Sequence, residues 1–147
     1  MKIGVGSDHR GVTAKTRIVA VLQQLGHDGA DLGVVGTGSA DYPDIAFDVA
    51  KGVGAGRFER GILICGTGLG MCIAANKVKG VRAACCHDSI TAELSRSHND
   101  ANVLCLSGDL LGEELIERMV KIWLQTPFEA GRHARRVDKI MKFELAD

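Results

Sequence analysis

The sequence predicts an α/β domain, with five short strands in one parallel sheet and helices on both of its faces. Three observations carry that reading. Short apolar runs alternate with longer segments of helical spacing along the chain. The apolar runs lack polar/apolar alternation, as strands covered on both faces do. Nineteen glycines against two prolines supply many tight strand-to-helix turns. At 147 residues and 46% hydrophobic content, the chain suits a single domain, residues 1–147, with a real core.

Residues 2–6 (KIGVG) form the first predicted strand, followed by the polar group SDHRG. Residues 12–25 place Ile18, Val21, Leu22 and Leu25 at helical spacing, and Gly26 stands where a helix ends. A weak second strand is expected within 27–32, then a glycine-rich loop over 33–39. Asp41-Tyr42-Pro43-Asp44 marks a helix start with proline in the first turn. That helix continues over 45–53, where Gly52, Gly54 and Gly56 are expected to break it. Residues 61–65 are the third strand, and 71–77 a helix after the loop CGTGLG. Further on come a strand (81–86), a helix (89–98) and a strand (103–106). The helix over 112–125 turns Leu115, Ile116, Met119, Val120, Ile122 and Trp123 to one side. A last helix spans 131–145.

Composition excludes several function classes. Eighteen basic and eighteen acidic residues leave no net charge, so nothing draws the whole surface to nucleic acid or anionic membrane. No apolar run approaches the roughly 20 residues that span a bilayer. The first residues are too glycine-rich for a secretory signal. The five cysteines, Cys65, Cys72, Cys85, Cys86 and Cys105, are odd in number and mostly beside apolar runs. That pattern suits a reduced, cytoplasmic protein.

Ligands of open α/β sheets bind beyond the carboxyl ends of the strands. Ser7-Asp8-His9, the segment 65–70, Cys86-His87-Asp88 and the end of the fifth strand fall there. The loop ILICGTGLG is neither G-x-G-x-x-G nor a Walker loop. What remains is a row of backbone N–H groups at a helix start, able to bind an anion or stabilise a forming one. The plainer alternative is a tight turn. Cys65 ends its strand facing that helix start, a setting that favours a thiolate acting as nucleophile or general base. Core packing is the expectation for Cys72, Cys85, Cys86 and Cys105. No cysteine pair has C-x-x-C spacing, so no metal site is expected. His9 and His98 are both expected on the Cys65 edge, although a loop histidine is usually just solvated. His27 and His87 have no comparable support. Arg132 and Arg136, four apart, share a helix face that suits a phosphate, with a solvated basic patch as the alternative. Together these groups fit aldose–ketose isomerisation of a phosphorylated small molecule, which needs no metal and no cofactor.

The segments GSDHRG, DYPD, GILICGTGLGMCIAANKVKGVRAA, LSRSHNDANVL and EAGRHARRV together resemble the type B ribose-5-phosphate isomerases. That family includes the galactose-6-phosphate isomerase subunits, and the resemblance runs over about residues 1–140. It implies a Rossmann-like, three-layer α/β/α sandwich with a C-terminal helix. It implies interconversion of ribose 5-phosphate and ribulose 5-phosphate through an enediolate, with Cys65 as base. By the same resemblance, Gly66, Gly68 and Gly70 belong to the anion hole and Thr67 hydrogen-bonds within the site. His98 opens the furanose ring, while Asp8, Tyr42 and Asn99 contact sugar hydroxyls or position their neighbours. His9, Arg132 and Arg136 match phosphate-binding positions. The family implies a homodimer or homotetramer with its active site at the dimer interface.

One position departs from the family pattern. Many members carry an arginine, also facing the phosphate, where this chain has Asp109 in SGDLLG. A carboxylate there repels a phosphate dianion. Either Asp109 points away, or Arg135 or another basic group compensates, or the substrate differs. Another sugar phosphate (tetrose or hexose, such as allose or galactose 6-phosphate) or a free sugar is therefore the alternative substrate. A non-catalytic sugar-phosphate-binding subunit is a further reading, disfavoured because Cys65, Thr67 and His98 are all present. The failed glycine fingerprints disfavour a nucleotide-binding module.

Overall fold

The computed structural model describes residues 1–33 and 40–146. Apart from Gly33, the glycine-rich loop expected over 33–39 lies outside the described residues. The elements follow in the order β1 (Lys2–Ser7), α1 (Val12–Gln24), β2 (Asp28–Asp31), α2 (Tyr42–Gly54), β3 (Arg60–Cys65) and α3 (Leu69–Ala75). They continue with β4 (Ala83–Cys85), α4 (Ser89–Ser97), β5 (Val103–Ser107), α5 (Glu113–Gln125) and α6 (Arg132–Leu145). The five strands form one sheet in the order β2-β1-β3-β5-β4. Every pairing is parallel.

Alternation along the central strands divides the core into two layers. Ile62, Ile64, Leu104 and Leu106 pack with Ile18 of α1, Ala92 of α4, and Met119 and Trp123 of α5. Leu63, Cys65, Val103 and Cys105 face the other way, onto Ile45 and Val49 of α2 and Met71 of α3. With helices on both faces, the three-layer α/β/α sandwich is the observed fold. The chain leaves β1 for β2 on one side and returns to β3 on the other. A crevice therefore opens beyond the carboxyl ends of β1 and β3, where open α/β sheets take ligands.

Helix α2 corrects one expectation. It begins at the Asp41-Pro43 signal, with Asp41 as N-cap, but runs through Gly52 to Gly54. Gly52 is a close-packing residue and not a breaker, since a Cβ there would lie 2.5 Å from the Phe58 ring. Helix α6 lies beside β4. Its Glu144 accepts the Gly80 N–H at 2.9 Å, while Ile140, Phe143 and Leu145 stay exposed.

Candidate active site

At the carboxyl edge the elements deliver one group of side chains. β1 ends in Ser7 and hands on the buried Asp8, whose Oδ1 accepts the Arg10 N–H at 3.0 Å. Strand β1 is tied to β3 beyond the ladder, because the Asp8 N–H donates to the Ile64 carbonyl at 3.2 Å. Cys65 closes β3 and is only 6% exposed. Its sulfur accepts the Gly68 N–H at 3.2 Å. That donation needs the chain to reverse within three residues, which Gly68 permits at φ +82°. Thr67 is exposed, and its hydroxyl accepts the Leu69 N–H at 3.2 Å, securing the start of α3. Tyr42, at the start of α2, lays its ring over Gly70. His9 is exposed beside this group.

The β5–α5 loop braces the glycine loop from the other side. Gly108 N–H donates to the Cys65 carbonyl at 2.8 Å, and Asp109 N–H to the Gly66 carbonyl at 3.1 Å. The Ser107 hydroxyl donates to the same Gly66 carbonyl at 2.6 Å. Asp109 does not point away. Its carboxylate takes the Arg10 guanidinium at 2.9 Å from Nε and 2.8 Å from Nη2. The basic group that compensates Asp109 is therefore Arg10. Arg10 is a site residue missed in the sequence. The signal was a cation directly after His9; its partner lies too far along the chain to be read.

The other expected residues sit elsewhere. β3 pairs with β5 from Gly61↔Val103 to Cys65↔Ser107, so Cys65 lies level with the end of β5. Helix α4 starts after β4 at the carboxyl edge, where Asp88 caps it through the Thr91 N–H at 2.6 Å, and runs back. His98, its C-cap, and Asn99 thus lie at the amino edge, just before β5 begins. The Glu129 N–H donates to the Ser97 carbonyl at 3.0 Å, which brings the start of α6 to the same place. Arg132 and Arg136 therefore stand with His98, not with Cys65. The length of a five-residue strand separates the two groups, about 15 Å at ~3.3 Å per residue. This corrects the expectation that His98 shares the Cys65 edge.

At the amino edge the His98 and His133 rings stack, with centroids 4.1 Å apart and an 11° interplanar angle. The Glu129 carboxylate lies 3.9 Å from His98 Nε2 and 3.5 Å from His133 Nε2. Burial is the main cause that pushes the His133 imidazole below its usual range; the neighbouring His98, Arg132 and Arg136 add to it. Glu129 and His133 sit within the segment EAGRHARRV, yet sequence alone drew attention only to its arginines.

All four remaining cysteines pack with the core as expected: Cys86 and Cys105 are buried, and Cys72 and Cys85 are partly buried against the α2–α3 layer. A hydrogen bond with Cys105 is the main cause that lowers the Cys72 thiol to about 7, with help from the Cys85 backbone and Asn76. Cys85 is raised to about 11, first by burial and then by the neighbouring thiols.

Both edges are matched in proteins of known family. The family described as Ribose/Galactose Isomerase matches residues 3–140. The ribose-5-phosphate isomerase B structure from Clostridium thermocellum is 49% identical, with TM-score 0.96 and 99% of each chain covered. The ribose-5-phosphate isomerase B from Mycoplasma genitalium, solved with bound ribulose-5-phosphate, is 44% identical with TM-score 0.96, covering 99% of this chain and 97% of that one. The D-erythrulose-4-phosphate isomerase of Pectobacterium atrosepticum is 41% identical, over 98% of this chain and 95% of its own. With fold, loop and both residue groups inside one match of nearly full length, this chain belongs to the ribose/galactose isomerase family.

Proposed function

We propose that this protein interconverts ribose 5-phosphate and ribulose 5-phosphate, with Cys65 as the base. The observation that carries the reading is the Cys65 sulfur at the end of β3, accepting the Gly68 N–H beside the crevice. In the open-chain aldose the thiolate takes the proton from C2. The electron pair moves into the C1–C2 bond and charge develops on O1, which becomes an enediolate oxygen. Backbone N–H groups of the loop that starts at Gly66 face that oxygen and lower the barrier to its formation. The thiol then returns its proton to C1 while the O2 proton is relayed to O1, leaving the ketose. Asp8 and Tyr42 flank the crevice and orient hydroxyls.

His98, as ring-opening acid/base, and Asn99, Arg132 and Arg136, as sugar and phosphate contacts, reach this chemistry from a second copy of the chain. Their place at the opposite edge of the sheet supports that arrangement. So does the apolar surface left exposed at Leu69 and Ile73 of α3 and Ile90 of α4. Each site is then completed across a homodimer interface.

A four-carbon substrate is the second reading. The likeness to a D-erythrulose-4-phosphate isomerase favours it. A turnover screen of four-, five- and six-carbon aldose phosphates and the free sugars decides between them. The five-carbon phosphate should give the highest kcat/KM; a higher value for a four-carbon phosphate selects the second reading. Cys65→Ala should lower kcat by at least about 1,000-fold with the fold intact by circular dichroism. In heavy water the wild type should place deuterium on the carbon beside the carbonyl. An active Cys65→Ala protein overturns the role given to the thiol.

A further inference from the structure

We infer that His98, Glu129 and His133 form a binding site for a divalent transition-metal ion of the zinc class. They are the one group of three metal-ligand side chains found among the described residues, with one ligand atom from each lying within 4.8 Å of the others. Zinc bonds to imidazole nitrogen and carboxylate oxygen are about 2.0–2.2 Å, so donors around a tetrahedral ion stand about 3.4 Å apart. His133 and Glu129 are already at 3.5 Å. His98 and Glu129, at 3.9 Å, close with a small side-chain movement. Because lone pairs lie in the ring planes, the stacked His98 ring must turn for its nitrogen to converge on the ion. It has room to do so, since its side chain is 37% exposed while His133 is only 9% exposed. The backbone fixes the third ligand, because the Glu129 N–H is held by the carbonyl of Ser97, the residue before His98.

Two imidazoles and one carboxylate leave a fourth position for water. They select zinc, cobalt or nickel over magnesium and calcium, which prefer all-oxygen sites. Arg132 and Arg136 act electrostatically on His133 and oppose a cation. The ion is therefore exchangeable, bound at micromolar free metal, and not a resident of the fold. Loading breaks the imidazole stack and fixes the His98 ring. Given the role proposed above for His98, which this consequence rests on, the ion inhibits isomerisation of closed-ring substrate.

Cobalt titration of the metal-free full chain tests the site without reference to activity. One equivalent should produce visible d–d bands, and Glu129→Gln and His133→Asn should each weaken binding at least tenfold while the far-ultraviolet dichroism is unchanged. No binding, binding untouched by either substitution, or a near-ultraviolet thiolate charge-transfer band assigning the ion to cysteine overturns the inference. In parallel, micromolar zinc should inhibit the wild type, and Glu129→Gln should resist zinc, read as the ratio of each protein's rates with and without the metal. Specific cobalt binding without zinc inhibition upholds the site and overturns the role of His98.

Discussion

Cys72 and Cys85 lie near each other at similar half-exposure, yet their surroundings push them in opposite directions. Hydrogen bonding lowers Cys72 to about 7, and burial raises Cys85 to about 11. Above about pH 7 the first is increasingly thiolate, and the thiolate is the species that alkylates. Iodoacetamide at about pH 7.5 should modify Cys72 roughly tenfold or more faster than Cys85, as read by peptide mass spectrometry. Raising the pH to about 9 should accelerate Cys85 and leave Cys72 almost unchanged. Equal rates at both pH values would remove the assigned hydrogen bonding. The contrast with Cys65 shows what was legible at this scale. The length of the apolar run ILIC places Cys65 at a strand end beside a glycine turn, and the structure keeps it there. The state of Cys72 depends on Cys105, a partner distant in sequence that only the sheet brings close.

Elements were legible in order and type because apolar period and glycine punctuation act locally. Their ends moved by a residue or two: β3 begins at Arg60, and α3 already at Leu69. Gly52 marks where local reading fails. Glycine costs about 1 kcal/mol in a helix interior relative to alanine, so sequence treats it as a break. Here the Phe58 ring occupies the space of its missing side chain and also abuts Gly4 of β1, joining α2 to the sheet. Gly52→Ala should therefore destabilise the fold by about 1–3 kcal/mol, overpacking outweighing the gain in helix propensity. Chemical denaturation measures it, and a more stable variant would show that Phe58 yields freely. Phe58→Leu in the same background should recover part of the loss.

For the whole molecule, the sandwich was legible but the placement of His98 was not. Alternating strands and helices imply parallel strands, and they imply that each helix returns to the amino edge. The turn HND ends such a helix, so the direction of α4 decides the edge on which His98 lies. That direction followed from the element order, yet grouping chemically related residues put His98 beside Cys65. Arg10 and Asp109 show the complementary limit. Each sits in a different strand-to-helix loop, and only their meeting above Gly66 turns an apparent repulsion into a neutral pair. Solvent screens their exposed ion pair, so it adds little to stability.

The separation of Cys65 from His98 by the height of the sheet makes the proposed site a shared possession. A subunit without its thiol still lends its histidine and arginines to its neighbour. Mixing Cys65→Ala and His98→Asn proteins, each inactive alone, under conditions that exchange subunits should restore about one quarter of wild-type activity, since half of the dimers are mixed and each holds one intact site. No recovery, with exchange verified by native mass spectrometry, would place both residues in one chain's site. Two separately inactivating lesions carried on different copies of the chain then rescue each other, and the mutational map divides by sheet edge.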